Sequence, residues 1–191
     1  MRKIRKKGDD AKKQKRNNTI LGMLLIIVMF LSVVGYGFMG QDESGENKKI
    51  SYNGYEFVSA GDYWLTKIGD YQFGFQNNPI DLEDSDGEVK YLNSYIDKPL
   101  YIFSENPEAR VELEINLNQV VQRIQDGCLN KDECGGDYPV KSCERENFII
   151  IREENVSEII QNGTCVTISG SKENLTKMVD IFLLKTIGIE D

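Results

Sequence analysis

The sequence predicts an α+β domain, a mainly antiparallel sheet with two helices and two disulfides, carried behind an N-terminal transmembrane helix. Three observations predict it. Residues 17–41 hold no charged side chain, the residues after 50 alternate polar and apolar between Gly, Asn and Asp turns, and all four cysteines follow the uncharged stretch.

The anchor comes first. Ile20 to Phe38 is nineteen residues, which as a helix spans roughly 28 Å, close to the hydrocarbon thickness of a bilayer. Twelve of the nineteen are Leu, Ile, Val or Phe. At a few tenths of a kcal/mol each, they favour insertion by roughly 4 to 7 kcal/mol. Tyr36 and Phe38 stand at the outer end, where aromatic rings favour the interface.

The two sides of that segment carry opposite charge. Residues 1–39 hold nine Lys or Arg against Asp9 and Asp10, net +7, whereas residues 40–191 hold fourteen against twenty-nine acids, net −15. A basic flank orients a spanning helix with that flank in the cytoplasm. The expected organisation is a basic cytoplasmic tail (1–18), a transmembrane helix (19–40), a polar tether (41–49) and an extracytoplasmic α+β domain (50–191). The alternative is a cleaved signal peptide; Gly35-Tyr36-Gly37 is a poor cleavage site and the apolar run is long for one.

Strands open the domain. Tyr55 to Ser59 and Tyr63 to Ile68 read as strands, and Gly69-Asp70 turns the chain into Tyr71 to Gln76. In that strand Tyr71, Phe73 and Phe75 share one face, as in a half-buried antiparallel strand. Asn77 to Glu88 is an acidic loop, and Leu100 to Ser104 another strand. Val111, Leu113, Ile115 and Leu117 alternate with polar residues, which is strand periodicity. Leu117, Val120, Val121 and Ile124 then follow helical spacing, with Asn116 and Gln119 placed as a capping box. Phe148 to Arg152 is apolar, and Asn162-Gly163 joins Glu158–Gln161 to Thr164–Ser169 as a hairpin. A helix from about Lys172 to Ile187, stopped by Gly188, closes the chain.

Cys128, Cys134, Cys143 and Cys165 form an even set, read as two disulfides in an exported domain. Three pairings exist; chain order and strand placement favour Cys128 with Cys134 and Cys143 with Cys165. Three sequons, at Asn155, Asn162 and Asn174, are glycosylation candidates consistent with export.

Chemistry is sparse. The chain has no His, which removes the commonest general base and metal ligand. No nucleophile elbow, zinc, phosphate-loop or dinucleotide motif occurs, so no catalytic, metal or cofactor residues are assigned. Read as a calcium loop with Gly87 in sixth place, the acidic stretch puts Leu82 first and Asn93 twelfth, losing both key carboxylates. The aromatic cluster from Tyr52 to Phe75 reads as hairpin core; Trp64, opposite in face to Tyr63 and Leu65, is the candidate ligand-facing residue.

Cys128 and Cys134, Tyr138-Pro139-Val140, Cys143, Asn162-Gly163-Thr164-Cys165 and the closing run Leu184 to Ile189 follow one another in a distinctive order. In that order the last eighty or so residues resemble small, uncharacterised archaeal single-pass membrane proteins with a Cys-containing outer domain. The resemblance implies the same topology and cysteine pairing and no particular activity.

The expectation is therefore a non-catalytic binding or structural module of the cell envelope. Its partners would be the lipid bilayer and an envelope protein or glycan, with no nucleic acid. The alternative is a hydrolase that uses carboxylates on a surface glycan.

Overall fold

The computed structural model describes residues 48–83, 85, 87–131 and 137–190. The expected basic tail and transmembrane helix, and the expected tether up to Asn47, lie outside the described residues. Among the described residues, no helix is long and apolar enough to cross a membrane.

Four strands, β1 (Lys49–Tyr52), β2 (Tyr55–Ala60), β3 (Tyr63–Ile68) and β4 (Tyr71–Phe75), form an antiparallel meander in that order. The turns are local chemistry. Asn53 (φ 47°) and Gly54 (φ 85°) both adopt positive φ, as a type I′ turn demands. Gly61 and Gly69 adopt it at the first turn position only. The expected β2, β3 and β4 are present, and the expected tether ends one residue early, because Lys49 already pairs with Val58. Phe57, Phe73 and Phe75 are fully buried on one face, with Phe57 and Phe75 edge-to-face at 5.8 Å.

The meander and the two helices match the expected α+β fold, and the second sheet adds parallel pairing that the expectation did not include. Its strands β5 (Pro99–Ser104), β6 (Arg123–Asp126), β7 (Asn147–Glu153), β8 (Glu158–Asn162) and β9 (Cys165–Gly170) lie in the order β6-β5-β7-β9-β8. Only the β8–β9 hairpin is antiparallel; β5–β6, β5–β7 and β7–β9 are parallel. Parallel strands are buried on both faces, which explains the unbroken apolar run Phe148 to Ile151. Leu100, Ile102, Ile149, Ile151, Val166 and Ile168 enter the main core, while Tyr101, Phe148, Ile150 and Cys165 pack on the opposite face.

Helix α1 (Pro107–Leu117) is the largest departure from expectation. The alternation from Val111 to Leu117 predicts a strand, and the 117–124 spacing predicts the helix one step later. Instead Asn106 caps α1, accepting a hydrogen bond from Ala109 N at 3.0 Å, with Pro107 in the first turn. Asn116 and Gln119 therefore form no capping box. Val120 and Val121 lie in the loop after α1, and Ile124 is in β6. The buried face is Ala109, Glu112, Leu113, Asn116 and Leu117, leaving Val111 48% and Ile115 51% exposed. Tertiary contacts choose the helix, because its buried polar residues have backbone partners to satisfy.

Those partners belong to β4, the edge of the meander. Asn116 accepts from Gly74 N at 2.8 Å and donates to Gly74 O at 2.7 Å. Glu112 accepts from Gln76 N at 3.1 Å, and Gln119 bonds both backbone groups of Gln72. Residues 112, 116 and 119 thus meet 76, 74 and 72. A helical turn of about 5.4 Å and a two-residue strand step of about 6.7 Å are near enough for side chains to continue the ladder. An open edge is closed by a helix.

Helix α2 (Leu175–Thr186) packs on α1 and β9, close to the expected closing helix. Gly188 (φ 77°) ends it, with Gly188 N donating to Lys185 O and Ile189 N to Leu184 O, the Schellman pattern. The residues after it clasp the first hairpin: Tyr52 donates to Glu190 at 2.6 Å and Asn53 to Ile189 O at 2.9 Å.

Of the expected disulfides, Cys143–Cys165 is formed. It holds the 137–146 stretch against β9, on the face opposite the helices. Cys128 is not a free thiol, and its expected partner Cys134 lies outside the described residues.

Candidate functional site

Among the described residues, three places gather chemistry: a sealed pair of carboxyls, an acidic cleft and a basic recess.

The carboxyls are Glu112 on α1 and Asp180 on α2, neither with any exposed surface. Asp180 accepts from Asn77 N at 3.0 Å and from Asn77 Nδ2 at 2.8 Å, extending the row of bonds along the end of β4. The remaining oxygens, Glu112 Oε2 and Asp180 Oδ1, meet no donor among the described residues. The two carboxyls lie close enough for the charge of one to act on the other. Burial, then the neighbouring Glu112 charge, pushes Asp180 well above the usual carboxylate range. Burial raises Glu112 also. The pair joins α1, α2 and β4, and no substrate reaches it.

The cleft lies between the acidic loop, β8 and the start of α2. It measures about 840 Å³ and is lined by Asp81, Glu83 and Glu158 with Lys177, over an apolar floor that includes Ile159 and Met178. Val156 and Ile160 on its rim are 61% and 48% exposed. The loop wall is built by close approach. A Cβ on Gly87 (φ 143°) would stand 2.4 Å from Ile159 O, so only glycine lets the loop lie against β8. Leu82 anchors the loop in the core, and Asn78 accepts from Ile80 N to start its short 3-10 turn at Pro79–Asp81. Asp84 and Asp86, part of the calcium reading, lie outside the described residues.

The basic recess lies on the other face of the second sheet, beside Tyr101. One hollow of about 460 Å³ is lined by Lys90, Lys98, Lys141 and Arg145; an adjoining one of about 730 Å³ shares its Lys90 and Thr164. Arg123 Nη2 donates to the Tyr101 hydroxyl at 3.4 Å, and Lys141 Nζ stands 4.2 Å from the ring centre. The hydrogen bond from Arg123, then Lys141, holds the Tyr101 phenol below its ordinary range.

No protein-family model, curated protein or solved structure matches the chain. Function therefore rests on these sites alone.

Trp64, the candidate ligand-facing residue, packs against the main core in a strand register opposite Ser59 and Phe75, with Lys48 Nζ 6.0 Å over its ring. It lines none of the three sites described. Asn155, Asn162 and Asn174 are all exposed; Asn174 borders the cleft and Asn162 the larger basic hollow. Sequence reasoning finds the acidic loop but misses the carboxyl pair and the recess. Glu112 hides in a helix that reads as a strand, and Asp180 sits on the apolar face of the closing helix. The recess draws its residues from separate stretches of the chain, and no local pattern marks it.

Proposed function

We propose that the chain is a non-catalytic binding module of the cell envelope. Its basic N-terminus is cytoplasmic, residues 20–38 span the membrane, and the described domain stands outside with its disulfides. The charge split, the apolar stretch and the cysteines beyond it support that topology, as does the resemblance to archaeal single-pass proteins.

The observation that carries the binding reading is the cleft. Its volume lies in the range of ligand-binding pockets, and it joins exposed apolar side chains to three carboxylates against one lysine. Such a lining suits a basic, partly apolar segment of an envelope protein. The carboxyl pair with the most perturbed protons is sealed inside the core, which argues against its use in glycan hydrolysis.

A photo-crosslinking residue at Ile160, in the full chain in its own membrane, tests the reading. It should trap one recurring partner, and Glu83→Lys with Glu158→Lys should abolish the product. Crosslinks no different from those made at Lys67, on the outer face of the meander, would remove it. Hydrolysis of a surface glycan that is lost with the same two changes would favour the enzyme instead.

A further inference from the structure

The basic recess is out of character with the domain around it. Acids outnumber bases twenty-nine to fourteen beyond residue 39, yet five of the fourteen bases, Lys90, Lys98, Arg123, Lys141 and Arg145, converge here. Among the described residues, the carboxylates lining the two hollows are Glu144 and Glu146. Among the described residues only Lys141 of the five has a carboxylate within 4.0 Å, Glu146, at the limit of an ion pair. Like charges gathered in excess of their counter-charges repel one another, so the arrangement raises the energy of the empty domain and lowers it when an anion enters.

The walls are built to donate. Lys98 spends one proton on Ser94 O at 3.0 Å and keeps two. Thr164 lines both hollows, and its Oγ1 is buried with no hydrogen-bond partner among the described residues. Its position is fixed by the Gly163-Thr164 turn, by Thr164 N donating to Cys143 O at 2.7 Å, and by the Cys143–Cys165 disulfide.

We propose that the two hollows form a binding site for a phosphate-type oxyanion, held by Lys90, Lys98, Lys141 and Arg145 with Thr164 between. Ammonium groups arriving from several directions suit a tetrahedral anion better than a planar carboxylate, which the fork of an arginine matches. A long polyanion would run onto the acidic remainder of the domain, so the ligand is compact. The combined space exceeds a free ion and accommodates a phosphoryl group with its substituent. This site is separate from the cleft and goes beyond the binding proposed there.

The test is calorimetric titration of the full chain in neutral detergent with two probes. Inorganic phosphate represents a free or terminal phosphate, and glycerophosphoglycerol represents a lipid headgroup without its tails. Both should bind, more weakly as salt rises. The tighter probe identifies the source of the anion. Lys98→Gln with Arg145→Gln, both exposed and outside the core, should weaken binding by about tenfold or more, from the loss of charge-assisted bonds. Lys67→Gln should leave it unchanged. Thermal unfolding of the double variant checks that it remains folded. Binding of neither probe, or equal binding by the folded double variant, would overturn the proposal. The Ile160 crosslink should persist in that variant, so failure here is distinguishable from failure of the cleft.

Discussion

Asn116 is the residue on which the helix-to-strand junction turns, and Asn116→Ala isolates it. The side chain has no exposed surface and makes three hydrogen bonds: from Gly74 N, to Gly74 O and to Glu112 O at 2.9 Å. Truncation leaves both backbone groups of Gly74 buried without partners, at about 1–3 kcal/mol each. The loss should therefore be about 2–6 kcal/mol, a large part of the 5–15 kcal/mol typical of a domain. Urea unfolding followed by Trp64 fluorescence reads it, since Trp64 lies one strand away, paired with Phe75. With a slope of about 2 kcal/mol per molar, the midpoint should fall by roughly 1–3 M. Asn116→Leu, of similar volume, separates lost bonds from an empty cavity and should fall nearly as far. Asn118→Ala, exposed at the end of the same helix, should stay within about 0.5 kcal/mol of the parent. If both Asn116 variants unfold at the parent midpoint, the β4 edge is not held by this side chain and the reasoning fails.

Other predictions follow from the same contacts. Unfolding frees Asp180 and Glu112 to lose their protons near pH 4, whereas the folded pair keeps protons to higher pH. The folded state then binds more protons, so this pair's contribution to stability is greatest below about pH 4 and declines as pH rises through the raised folded values. Asp180→Asn, neutral throughout, should flatten stability against pH; an unchanged slope would exclude a raised Asp180 carboxyl. Cys143→Ser opens a loop whose closure restricts the unfolded chain and should cost about 3 kcal/mol by thermal or urea unfolding. Gly87→Ala sets a Cβ against Ile159 O and should lift the loop from β8, seen as faster amide exchange at Ile159 to Gln161. For the proposed topology, protease added to intact cells should remove the C-terminal domain and leave an N-terminal tag on a membrane-bound fragment. A tag absent from the membrane fraction before protease treatment would indicate cleavage of the anchor.

The sequence by itself determines what is local. Alternation and two-residue Gly turns specify β2, β3 and β4, because each strand pairs with its neighbour across a tight turn. The closing helix is equally legible, since Leu175, Met178, Val179 and Phe182 repeat at helical spacing up to a glycine that needs positive φ. The apolar stretch 20–38 and the opposed charges on its two sides are likewise properties of contiguous residues, and the membrane reading rests on them. Only the tertiary structure decides the rest. Parallel pairing of β5 with β6 and β7 joins residues far apart in the chain, for which no turn residue provides a sign. The stretch Val111 to Leu117 alternates like a strand, yet Glu112 and Asn116 are drawn inward by the unpaired edge of β4, leaving Val111 and Ile115 exposed. Polar residues there are buried because they complete backbone hydrogen bonds made by another element. Lys90, Lys98, Arg123, Lys141 and Arg145 become one electropositive surface for the same reason: the fold of the second sheet, and not their order in the chain, makes them neighbours.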